Sequence, residues 1–117
     1  MNDEFRLNVF FYRTSSGNEP VREWLRSLDR EDKKIIGEDI KTVQFGWPLG
    51  MPLIRKLEPN LWEVRSHLKN RIARILFTII DGNMVLVHGF IKKSQKTPLD
   101  DINLAKKRIA EIRSQQL

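Results

Sequence analysis

The sequence has no cysteine, which excludes disulfides and thiolate chemistry and fits a reducing compartment. It has no apolar run long enough to span a bilayer. The opening MNDEFRLNVFFYRTSS carries acid early and lacks a long apolar core, so no signal peptide is expected and the protein is read as cytoplasmic. There is no Gly-rich phosphate loop, no metal-spaced cluster of His, Cys and Asp, and no Ser-His-Asp signature, so neither a metal nor a cofactor is expected. Tyrosine occurs once, at Tyr12, and histidine twice, at His67 and His88. No internal repeat or low-complexity segment breaks the chain. Its 117 residues are read as one domain, 1–117.

What the chain has in excess is positive charge, and the excess is one-sided. The net charge is +6, from 21 Lys and Arg against 15 Asp and Glu. Residues 1–60 hold ten of each sign, whereas residues 61–117 hold eleven basic and five acidic side chains. Between 61 and 97 the ratio is seven to two. Such a patch favours a polyanionic partner, for which phosphate backbone is the usual case; a merely solvated basic surface is the alternative, and charge alone does not decide between them.

The pattern of apolar residues predicts the elements. Arg6 to Tyr12 reads as a strand and Ser15 to Asn18 as a turn. Asn18 is a candidate cap for a helix that has Pro20 in its first turn and Val21, Trp24, Leu25 and Leu28 at helical spacing. Asp29 can cap a second helix running to about Phe45, with Ile36, Ile40 and Val43 on its buried face. The cluster GWPLGMP, 46–52, is loop. LWEVRS, 61–66, alternates strictly as a strand, which leaves His67 in the following loop, exposed by default. Ile72 to Ile80 and Met84 to Ile91 are strands joined by Asp81-Gly82, a strong tight-hairpin signal. Thr97-Pro98-Leu99-Asp100 opens a last helix, with Thr97 as its cap and Ile102, Ala105, Ile109 and Ile112 as its stripe. The order is β-α-α-β-β-β-α. This is an α+β domain in which an N-terminal helical hairpin covers one face of a small, twisted, antiparallel-rich sheet and a helix closes the chain.

Polar residues on these strands are the candidates for chemistry. Glu63 and Arg65 are two apart and share a face. Arg74 lies among Ile72, Ala73, Ile75 and Leu76, where a charge is costly unless it is paired or reaches solvent. One reading makes Glu63 and Arg74 a structural cross-strand ion pair. The other makes Glu63, Arg65 and Arg74 a concave cationic face, with Lys92, Lys93 and Lys96 arriving from the edge. Strand alternation sends Lys92 and Lys93 to opposite sides. His88, inside an apolar strand, reads first as a hydrogen-bonded core histidine. RNA cleavage by a 2′-hydroxyl suits the cationic face. Arginine and lysine stabilise the phosphorane, and a glutamate or a lysine of lowered pKa serves as base. Binding without cleavage needs the same cations.

The strands L-W-E-V-R and I-A-R-I-L-F, the segment H-G-F-I-K-K-S-Q-K-T-P and the helix motif A-K-K-R, in this order and spacing, resemble the RelE/ParE toxin superfamily in its HigB-like, phage-derived branch. The resemblance covers most of the chain and implies the RelE-like fold. It implies a ribosome-dependent mRNA endonuclease, the toxin of a type II toxin–antitoxin pair, cutting in the ribosomal A site without a metal. The implied catalytic set is Arg65, Arg74, Lys92, Lys93, Lys96 and Glu63, which stands where some relatives carry lysine. Lys69, Arg71 and His88 are candidate substrate contacts. Some relatives place a tyrosine or histidine near the last strand for proton transfer; here Lys96 or His88 would substitute. The implied partners are the ribosome, mRNA and a small helix-turn-helix antitoxin docked on the helical hairpin or the C-terminal helix, with no membrane. Two other functions stay open on the residues: a ParE-type protein-binding inhibitor of DNA gyrase, and a degenerate member without toxicity. On the nuclease reading, Arg74→Ala relieves growth arrest with the fold intact.

Overall fold

A computed structural model describes residues 6–48, 50, 52–92 and 96–115. The chain runs β1 (Asn8–Phe11), α1 (Pro20–Ser27), α2 (Arg30–Gly46), β2 (Ile54–Glu58), β3 (Leu61–Leu68), β4 (Arg71–Ile80), β5 (Asn83–Lys92) and α3 (Leu99–Gln115). One mixed sheet has the order β1-β5-β4-β3-β2, with β1 parallel to β5 and the other pairs antiparallel. Among the described residues the architecture is α+β, with five strands and three helices.

Each face of the sheet carries its own core. On one face α1 and α2 pack Val21, Ile36, Ile40 and Val43 against Val64, Ala73, Ile75, Phe77, Met84 and Leu86. Phe77 is fully buried there, with Trp47 and Trp62 ring centroids 5.7 and 5.9 Å away. A side chain of that size contributes about 1.5–3 kcal/mol on full burial. On the other face α3 lays Ala105 and Ile109 over Leu61, Leu76 and Val87.

Local chemistry sets the boundaries. The Asp29 carboxylate accepts from the Asp32 amide at 2.9 Å, capping α2 as the sequence suggests. Asp81 and Gly82 both have positive φ, 50° and 78°, which is the two-residue turn that matches strand twist. Asn60 and Asn70, at φ 64° and 60°, turn the two preceding hairpins, and asparagine tolerates that region better than most residues.

Five expectations need correction. An unforeseen strand, β2, pairs with β3 at the sheet edge. β1 is shorter than Arg6–Tyr12. The α1 cap position belongs to Glu19, not Asn18. β3 continues through His67 to Leu68, because Leu68 is buried and opposes Arg71, so His67 is a strand residue. α3 begins one residue later than read: the Pro98 carbonyl takes its first helical hydrogen bond, from the Ile102 amide, and the Thr97 side chain bonds elsewhere. In the 46–52 segment Gly46 closes α2, while 49 and 51 lie outside the described residues.

Candidate functional site

Register places the candidate residues in three rows across the α3 side of the sheet. Glu63, Leu76 and His88 form one row, Arg65, Arg74 and Phe90 the next, and His67, Ile72 and Lys92 the third. A β-bulge makes this possible. Leu76 opposes His88 while Phe77 opposes Leu86, so Val87 is an extra residue in β5. Strict alternation after Val87 would send His88, Phe90 and Lys92 to the α1–α2 face; the bulge turns them to the α3 face. Arg108 of α3 donates to the Val87 carbonyl at 2.8 Å, holding the bulge. Gly89 then faces α1, where its missing side chain admits the Trp24 ring.

At the centre lies a buried ion pair. Glu63 and Arg74 are both 0% exposed, with Arg74 Nη1 3.1 Å from Glu63 Oε1. Arg65 Nε is 3.6 Å from the same oxygen. The Thr97 hydroxyl donates to Glu63 Oε2 and accepts from Arg74 Nη1 at 3.3 Å. Burial pushes the Arg74 guanidinium below its ordinary value; the Glu63 carboxylate opposes that push and the Arg65 charge adds to it. Both sequence readings thus meet here. The cross-strand ion pair forms, and Arg65, 10% exposed, is the member of the trio that reaches the surface.

A second cluster gathers on Asp101, in the first turn of α3. Its Oδ1 is 2.7 Å from His88 Nε2 and its Oδ2 is 3.5 Å from Lys92 Nζ. Phe90 lies beside both, 5.2 Å from the His88 ring and 5.7 Å from the Lys92 ammonium. His88 is therefore a hydrogen-bonded, mostly buried histidine, and Lys92 stays 46% exposed.

The remaining candidates separate. Arg71 pairs with Asp32 of α2 at 2.7 Å, tying the β3–β4 turn to the helical hairpin. Lys69 is exposed in that turn, and Lys96 is exposed ahead of α3. Lys93 lies outside the described residues. Three contributors escaped the sequence reading: Thr97, taken for a helix cap, His67, taken for a loop residue, and Asp101. Nothing local in the sequence pairs Asp101 with His88; the bulge does that. Tyr12 is engaged elsewhere, donating to Glu111 under the Arg108 guanidinium.

Beside Arg65 the sheet edge opens into a groove of about 290 Å³, lined by Ile35 and Asp39 of α2, Pro52, Leu53, Arg65 and His67. Among the described residues no helix is long and apolar enough to cross a membrane.

A family model for phage-derived Gp49-like proteins (DUF891) matches residues 23–110. The match runs from within α1 into the last turns of α3 and contains every residue of the two clusters. No curated protein matches the chain.

Proposed function

Because the chain belongs to the phage-derived Gp49-like family, a family of RelE/HigB-like toxins, we propose that it is the toxin of a toxin–antitoxin pair and an mRNA endonuclease acting in the ribosomal A site. The observation that carries the proposal is the pair of braced cations on one face: Arg65 held by buried Glu63, and Lys92 held by Asp101. The 2′-hydroxyl attacks the adjacent phosphate, and negative charge grows on the phosphorane. Arg65 and Lys92 each combine surface exposure with a carboxylate behind them. Preorganised charge of this kind stabilises a transition state without reorganising during the reaction. Arg74 and Glu63 have no exposed surface, so their part is to position Arg65. Lys96, with Lys93, supplies further cations toward mRNA or ribosomal RNA, as Lys69 does from the β3–β4 turn. A helix-turn-helix antitoxin is the expected partner and neutralises the toxin by docking.

Primer extension on translated mRNA after induction of the protein tests this. Wild type is expected to cut, and Arg65→Ala to lose about 100- to 1,000-fold in cleavage rate, the usual cost of one charge-stabilising donor. The burial of Glu63 and Arg74 favours a second reading, since two of the charged residues then serve the interior rather than RNA. Uncut mRNA with arrested DNA supercoiling would identify a ParE-type gyrase inhibitor. Uncut mRNA with normal growth would identify a member without toxicity.

A further inference from the structure

Arg65 and Lys92 account for the charge on the phosphorane but not for the proton of the 2′-hydroxyl, and the groove at the β3 edge presents His67. β2 covers β3 only through Val64, and the Leu53 carbonyl takes the Arg65 amide at 2.9 Å. Beyond that point, among the described residues, no strand pairs with the β3 edge. Arg65 and His67, two residues apart on one face, both line it. His67 is exposed, whereas the other imidazole, His88, is bonded to Asp101. At this edge His67 therefore presents an exposed imidazole beside Arg65. His67 shares its row with Lys92, two strand spacings away, which is roughly 10 Å between backbones. Both side chains can point at one phosphodiester across Ile72.

We propose that the groove seats the ribonucleotide on the 5′ side of the cut bond and that His67 takes the proton from its 2′-hydroxyl; this rests on the endonuclease reading. The 2′-oxygen gives its proton to the neutral imidazole and bonds to phosphorus, with Arg65 at the phosphorane oxygens. The bond from phosphorus to the 5′-oxygen breaks, and that oxygen takes a proton from the Lys92 ammonium. The products are a 2′,3′-cyclic phosphate and a 5′-hydroxyl, and solvent restores both protonation states. Ile35, Pro52 and Leu53 offer an apolar wall to the base. The Asp39 carboxylate accepts from an exocyclic amino group, which favours cytosine, adenine or guanine over uracil. Among the described residues, Asp39 of α2 and Arg65 of its own strand line the groove with His67, and Lys92 of β5 shares its row.

The test is single-turnover cleavage of ribosome-bound mRNA by wild type, His67→Ala, His67→Gln and Ile35→Trp, from about pH 5 to 8, the range in which histidine changes charge. Both His67 variants are expected to cut about 100- to 10,000-fold more slowly and to lose the acid limb of the pH–rate profile. Their thermal midpoints should stay at the wild-type value, because the side chain is exposed. Ile35→Trp fills the groove and is expected to weaken substrate binding while retaining the saturated rate. If wild type cuts and the His67 variants cut at its rate with the same acid limb, His67 is not the base. If Ile35→Trp binds and cuts as wild type does, the groove is not the seat. A wild type that leaves mRNA whole overturns the endonuclease reading itself, which separates the two failures.

Discussion

Glu63→Ala would leave the Arg74 guanidinium charged in a place with no solvent. Both side chains are 0% exposed and their closest nitrogen–oxygen distance is 3.1 Å. Removing one partner of such a pair costs about 3–5 kcal/mol, chiefly because the other charge stays buried without compensation. The same carboxylate also takes the Thr97 hydroxyl and lies 3.6 Å from Arg65 Nε, so the upper half of that range is expected. A domain has about 5–15 kcal/mol in total, so the variant sits near the edge of folding. In urea, with a slope of about 2 kcal/mol per molar, a loss of about 4 kcal/mol lowers the midpoint by about 2 M. The double variant Glu63→Leu/Arg74→Met removes both charges and is expected to recover most of the loss, since apolar side chains of similar volume replace a buried pair at little cost. A loss below about 1 kcal/mol for Glu63→Ala, the size typical of exposed pairs, would refute the argument that this pair holds the site together. The same reasoning overturns the sequence expectation for Arg74→Ala. That variant loses comparable stability, so relief of growth arrest by it would report unfolding rather than chemistry, and Arg65→Ala is the cleaner probe.

Gly89→Ala is expected to destabilise by about 1–3 kcal/mol in urea melts, as overpacking does, because the new Cβ would lie 2.4 Å from Trp24 Cζ3; Trp24→Leu in the same chain should return part of the loss. The Tyr12 phenol is held above its ordinary value of 10.0, first by its hydrogen bond to Glu111 and then by burial. Its folded pKa exceeds its unfolded one, so its contribution is complete below about pH 10 and is lost as pH rises through the folded value. Tyr12→Phe should therefore be less stable than wild type at pH 8, and the gap should narrow above pH 10 in paired urea melts; a constant gap would refute this.

Much of the frame could be read because its signals are local. The spacing of Ile36, Ile40 and Val43, the Asp29 cap and the Asp81-Gly82 turn each act within a few residues, and each appears where expected. β2 was hidden because IRKLE carries Arg55 and Lys56 side by side and does not alternate. Charged side chains are tolerated there because the strand is an edge, and an edge strand benefits from charge that discourages further pairing. His67 was misplaced for a related reason. The letters H-L-K-N look like a turn, but only Lys69 and Asn70 make it, with Asn70 at φ 60°, and burial of Leu68 carries the strand two residues further.

The site was legible in period and hidden in register. Two-residue spacing puts Glu63 and Arg65 on one face, yet nothing in the sequence shows that Arg65 stands directly opposite Arg74. Like charges so placed repel, and in a buried row the repulsion is large unless a carboxylate reaches both. Glu63, diagonal to Arg74, does so with one oxygen. A lysine at 63 would add a third cation beside Arg65 and Arg74, so glutamate here follows from the burial of Arg74 rather than from acid–base work. Two arginines and one glutamate carry a net charge of +1, and Arg65 is the member through which that charge meets solvent. The bulge at Val87 acts in the same direction from the far strand, since it turns Lys92 onto this face and leaves Asp101 to hold it. Buried carboxylate and bulge together aim two cations at one surface, and only strand register brings them there.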